Sequence, residues 1–197
     1  SKEQLNELYK RDYLSHPDYN NPNFVNDISK KAEFNMNKIT LNKEEACNNK
    51  EFELANHQRL LKNFVNNETP YKSLLLFHGV GVGKTCSGVS ISESFRDIYV
   101  RDHNKIIIVR KAGLSQGWKD TIFDPEKGDN QCSGHEFIDS FKEDNDKRDS
   151  TSIRRAQNKL IKKYYEFYQY GTFSSKIKDI VGDDDDESVI KYKINKY

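Results

Sequence analysis

The chain has 197 residues, of which 35% are apolar and 32% charged, with a formal net charge of +1. That length suits one domain, or one domain with an appendage. Basic and acidic residues nearly cancel, 32 against 31, so net charge points neither toward nor away from a nucleic-acid partner and only local patches can decide. No apolar stretch approaches the roughly 18 residues that a membrane-spanning helix needs. The opening SKEQLNELYKRDYL is too polar for a secretion signal. A soluble, intracellular protein with no membrane partner is expected.

Residues 1–50 are polar and rich in asparagine. A short helix is predicted over 2–13, and SHPDYNNPNF, with two prolines, reads as loop. This arm shows no long apolar period and is expected to be a poorly packed extension. From residue 51 the texture changes, and 51–197 is expected to form the main domain. EFELANHQRLLKNFVNN places Leu54, Leu61, Phe64 and Val65 near one helical face. KSLLLFH is a short unbroken apolar run and predicts a strand buried on both faces. KTCSGVSISESFRDIYV reads as a helix, and KIIIVR as a second buried strand. Strand, helix, strand predicts a βαβ unit with a parallel sheet flanked by helices, an α/β fold.

Further on, SGHE at Ser133–Glu136 has the pattern of a capping box for a helix through Phe141. TSIRRAQNKLIKKYYEFYQY predicts one long helix, with Ile153, Ala156, Leu160, Tyr164 and Phe167 three or four apart and Gly171 as its stop. Its Arg154, Arg155, Lys159, Lys162 and Lys163 read as a solvated basic face. GDDDDES reads as an acidic loop without the fixed geometry a metal site needs. The five histidines show no metal-ligand spacing and are taken as ordinary polar residues.

The stretch that bears chemistry is HGVGVGKT, His78–Thr85. Gly83-Lys84-Thr85 matches the end of the phosphate-loop pattern G-x-x-x-x-G-K-[ST], while His78 stands where its first glycine would be. Gly79 and Gly81 supply flexibility instead. Backbone N–H groups from Gly81 through Val82 and Gly83 to Thr85 can turn inward around phosphate oxygens, where side chains would obstruct them. The helix opening at Lys84 points its positive end at the same anion. Lys84 is placed to bridge two phosphates, and the Thr85 hydroxyl to ligate Mg²⁺ through the nucleotide, which makes both candidate catalytic residues. ATP and Mg²⁺ are the expected cofactors.

With FELANHQRLLKNF, then TPYKSLLLFHGVGVGKTCSGVSISE, then IIIVRKAGLSQGWKDTIF, the sequence resembles the start of a superfamily 2 helicase. More narrowly, it resembles the helicase-like NTPases of large DNA viruses, such as the poxvirus early-transcription-factor and nucleoside-triphosphatase enzymes and their giant-virus relatives. The resemblance is clear over Phe52–Phe123, with weaker echoes in NQCSGHEF and YYEFYQYGTF. It implies a partial RecA-like domain over 51–197. It also implies that Gln58 holds the adenine edge, with Arg59 assisting beside it. Arg110, Lys111, Ser115, Gln116 and Trp118 fall where these helicases touch a DNA or RNA backbone, and Trp118 reads either as a base-stacking residue or, in preference, as the core anchor of its helix.

The same resemblance implies a DExH strand and a second, C-terminal RecA-like domain, and neither is recognisable here. The chain then reads as the ATP-binding N-terminal part of a helicase for viral transcription or genome handling, located in virion or viral factory, with little hydrolysis of its own. Two other readings stay open. One is a stand-alone P-loop kinase or small NTPase using Arg154 and Arg155 as a lid. The other is a non-enzymatic interaction module derived from a helicase.

Overall fold

The computed structural model describes residues 16–38, 52–96, 98, 104–142, 149–183 and 186–196. The helix expected over 2–13 lies outside them. The chain divides into two compact units, residues 1–94 and 95–197.

In the first unit, α1 (Phe24–Lys30) and α2 (Ala32–Asn35) pack with α3 (Asn56–Phe64), and α4 (Lys84–Glu93) packs on α3. The centre is an aromatic cluster. Tyr71, wholly buried, stacks on Phe64 with ring centroids 4.4 Å apart. Tyr19 and Phe24 meet the same Tyr71 ring at 5.1 and 5.7 Å, and Phe34 is buried against Phe64. The Tyr71 hydroxyl donates to the Pro17 carbonyl at 2.8 Å, and Asn63 donates to the Glu33 carbonyl at 2.8 Å. Residues 16–38 are therefore packed, against the expectation of a loose arm. The reason is that isolated rings on short helices and turns build this core, and they leave no helical period to read. Each such aromatic pair adds about 0.5–1.5 kcal/mol beyond the area it buries.

The strand expected over KSLLLFH does not form: residues 71–79 are irregular, with Leu75 87% and Phe77 95% exposed. A strand is defined by its partner, and no other strand is present among the described residues of this unit. The helix predicted over residues 84–100 starts where expected, at Lys84, but ends at Glu93, and Ser94 and Phe95 lie in a turn.

The second unit runs β1 (Ile106–Arg110), α5 (Ser115–Ile122), a 3₁₀ turn at Pro125–Lys127, α6 (Glu136–Lys142), α7 (Ser150–Tyr164), β2 (Tyr165–Gln169), α8 (Tyr170–Val181) and α9 (Glu187–Lys196). β1 and β2 pair in parallel, from Ile106 opposite Tyr165 to Arg110 opposite Gln169. The single long helix predicted over 151–170 is thus corrected. Its helical stripe ends at Tyr164, and YEFYQ, dense in aromatics that suit a pleated surface, becomes β2. Gly171, expected to stop a helix, lies in the first turn of α8. The core gathers Ile108, Ile122, Phe123, Phe137, Leu160, Ile161 and Tyr165. The buried Arg96 guanidinium lies over the Phe137 and Tyr164 rings at 5.2 and 5.3 Å and pairs with Glu136.

Two buried amides satisfy the chain between α5 and α6. Gln131 accepts from Asp124 N and donates to the Asp124 and Gly128 carbonyls, and Gln157 donates to the Phe123 carbonyl. Ser133, expected as a helix cap, instead donates to the Ile122 carbonyl at 2.5 Å, and α6 starts only at Glu136. In the acidic segment, the Asp186 carboxylate accepts from Ser188 N and Oγ at the start of α9, and those bonds hold its pKa below the ordinary carboxylate value. Among the described residues no group of His, Cys, Asp and Glu converges as a metal site, and no helix is long and apolar enough to cross a membrane.

Candidate nucleotide site

The loop of residues 78–83 turns rather than runs straight. Gly81 and Gly83 have φ of +83° and +77°, a region closed to most L side chains, which is why GVGVGK needs glycine there. Gly83 is the residue before α4, and its carbonyl receives the first helical hydrogen bond, from Ser87 N at 2.9 Å. The N–H groups of Lys84 and Thr85 therefore open the helix without intrahelical acceptors. Lys84 Nζ folds over the loop and donates to the His78 and Gly79 carbonyls, each at 2.9 Å. A Cβ built at Gly79 or Gly81 would meet nothing within 4 Å, so the space beside the loop is open. Thr85 is half-buried in the first turn.

The start of α3 meets this loop. Gln58 is buried, accepting from Ala55 N at 2.9 Å and donating to the Gly83 carbonyl at 3.3 Å. His57 Nε2 lies 3.3 Å from the Val82 carbonyl oxygen. The His57 ring stands edge-on to His78, with centroids 5.6 Å apart and planes at 82°. Of the residues the sequence assigns to nucleotide, Gln58 is thus joined directly to Gly79–Thr85. Arg59 is not: it is exposed and turns to Glu53 at 3.5 Å and Asn56 at 3.4 Å. His57 and His78, which read as ordinary polar histidines in the sequence, both belong to this cluster. Their one signal in the sequence is position, beside Gln58 and in place of the pattern's first glycine.

The residues assigned to nucleic acid lie in the second unit. Arg110 ends β1, and its Nη1 donates to the Lys111 carbonyl at 3.2 Å. Lys111 is exposed in the turn that leads, through Gly113 at φ +84°, to Ser115 at the start of α5. Gln116 is engaged with Asp120 on its own helix at 2.6 Å, and Trp118 is half-buried. Behind them, Lys119 donates to Asn158 of α7 at 2.6 Å and lies over the Phe167 ring. Burial first, then the positive charges of Lys162, Arg110 and Arg154, push the Lys119 pKa down, with Asp120 opposing. Lys162, Arg110 and Arg154 thus stand close enough to Lys119 to oppose its charge, with Asp120 offsetting them in part.

Comparison with known proteins supplies relatives. The chain is 28% identical over 84% of its length to "Putative ATP-dependent RNA helicase R563" of Acanthamoeba polyphaga mimivirus, spanning 28% of that protein. It is 28% identical over 64% of its length to "Putative ATP-dependent RNA helicase L377" of the same virus, spanning 11% of it. It is 27% identical over 91% of its length to "Putative helicase 087L" of Invertebrate iridescent virus 3, spanning 18% of it. No protein-family model matches the chain, and no solved structure matches it. The resemblance read from the three sequence blocks therefore holds: the chain is a relative of the helicase-named proteins of giant viruses and iridoviruses.

Proposed function

We propose that this chain is the ATP-binding part of a nucleic-acid-dependent NTPase of helicase type, with a partial RecA-like fold, acting in viral transcription or genome handling. The observation that carries the reading is the turn at 78–85: left-handed glycines at Gly81 and Gly83, open space beside Gly79 and Gly81, and Lys84 folded back over the loop that leads into α4. The names of two relatives include ATP dependence, which supports the same ligand.

The residues fit a nucleoside triphosphate with Mg²⁺. An anion entering the open side would meet the N–H groups of Gly83, Lys84 and Thr85 and the positive end of α4. Lys84 would exchange its two carbonyl partners for phosphate oxygens, a charge-assisted bond stronger than the ones it gives up. Thr85 would offer its hydroxyl to the Mg²⁺, which neutralises phosphate charge when bound. Gln58 retains one donor and one acceptor site beyond the two it uses, suited to an adenine edge. Arg110, Lys111 and Ser115, at the end of β1 and the turn into α5, would meet phosphates of a DNA or RNA strand.

Turnover needs fixed charge on both sides of the γ-phosphate. Residues 78–85 supply one side, so this chain alone is expected to bind ATP weakly and hydrolyse it little. Calorimetry with ATP and Mg²⁺ tests the reading: the wild-type chain binds, and Lys84→Ala does so at least about tenfold more weakly. Equal affinity of the two proteins, or no binding by either, removes it.

A further inference from the structure

Resting on the nucleotide reading above, we propose that His57 is a positioning residue of the phosphate loop, acting through the Val82 carbonyl. A carbonyl oxygen can only accept, so the 3.3 Å contact requires a hydrogen on His57 Nε2. A trans peptide sets the C=O of one residue and the N–H of the next on opposite sides. Holding the Val82 carbonyl toward α3 therefore turns the Gly83 N–H away from α3, to the side on which an anion would sit. Gln58 does the same one peptide later, through the Gly83 carbonyl and the Lys84 N–H. Two neighbouring residues at the start of α3 thus orient two successive amides.

His78 completes the device from the other end of the loop. Its ring packs edge-on to His57 with centroids 5.6 Å apart and so bounds the space open to the His57 imidazole, while its own Nδ1 is buried with no hydrogen-bond partner. Its main-chain carbonyl meanwhile receives Lys84. A residue that departs from the glycine of the phosphate-loop pattern is in this way put to use. It supports the imidazole that orients the loop.

The test measures binding of a fluorescent N-methylanthraniloyl ATP with Mg²⁺ to the chain and its variants. His57→Phe keeps a ring against His78 and loses the donor; affinity is expected to fall about fivefold, in the range of one lost hydrogen bond. His57→Gln places an amide donor near the same point and is expected to stay within about twofold of wild type. Thermal melting without nucleotide should shift by no more than the loss of one hydrogen bond accounts for, and His57→Leu is a second donor-less variant should His57→Phe melt far earlier. Wild-type affinity in both donor-less variants overturns the proposal, as does a loss in His57→Gln equal to that in His57→Phe. If wild type and Lys84→Ala bind alike, the nucleotide reading falls and takes this role with it; a Lys84-dependent signal indifferent to His57 sinks only the role.

Discussion

Gln58 Nε2 donates to the Gly83 carbonyl at 3.3 Å, joining the start of α3 to the start of α4 across 25 residues. A Cβ on Gly83 would fall 2.7 Å from that same nitrogen. Gly83→Ala therefore meets two obstacles, a left-handed φ and an amide tip already tied to Ala55. The expected loss is about 1–2 kcal/mol from the backbone alone, read as a shift of the urea midpoint. Gly79→Ala is the control, since nothing lies within 4 Å of its Cβ and its φ is not left-handed; it should leave the stability within about 0.5 kcal/mol of wild type.

Tyr71 separates hydrogen bonding from packing in the first unit. Tyr71→Phe removes only the bond to the Pro17 carbonyl and should cost about 0.5–1.5 kcal/mol. Tyr71→Ala empties the centre of the aromatic cluster and should cost about 3–5 kcal/mol. Were Tyr71→Ala no worse than Tyr71→Phe in chemical denaturation, residues 16–38 would not be packed around this ring.

His16 makes the first unit sensitive to acid. Burial first, then the Lys31 charge, hold its pKa below the usual 6.5, while Glu33 at 3.6 Å partly opposes them. The Tyr71 and Phe34 rings flank it. The unfolded chain then binds the proton more tightly than the folded one. Stability should rise with pH from the lowered value up to about 6.5 and be lost as pH falls through that window. Urea midpoints measured between pH 5 and pH 8, values of about one unit either side of the His range, should show this slope in wild type and a flatter one in His16→Asn.

Arg110 and Lys111 are expected to meet phosphates rather than bases. Replacing both with Gln should weaken binding of single-stranded DNA or RNA by similar factors for unrelated sequences. The slope of log affinity against log salt should drop by about 0.7 for each phosphate that the protein no longer neutralises. An unchanged slope would place the strand elsewhere on the protein.

The local elements were legible where one short segment decides its own conformation. α3, α4 and β1 sit where apolar period and glycine turn put them, because helix caps, left-handed glycines and β-branched runs act within a few residues. The phosphate-loop pattern likewise needs only neighbours in sequence and marks Lys84 and Thr85 as candidates, while the relationship to viral helicase-named proteins was carried by the spacing of three sequence blocks.

Pairing and packing were decided only in three dimensions. KSLLLFH reads as strand by composition, yet strand is a property of two segments, and its hydrophobes stay exposed here. YEFYQ reads as the end of a helix and becomes β2 because Ile106–Arg110 lies alongside it. The rings around Tyr71 come from separate stretches of the chain, and His57 meets Val82 across a loop. Sequence determines which groups exist and how each short segment bends; which carbonyl a given imidazole or amide reaches depends on long-range closure, whose energy no local pattern contains.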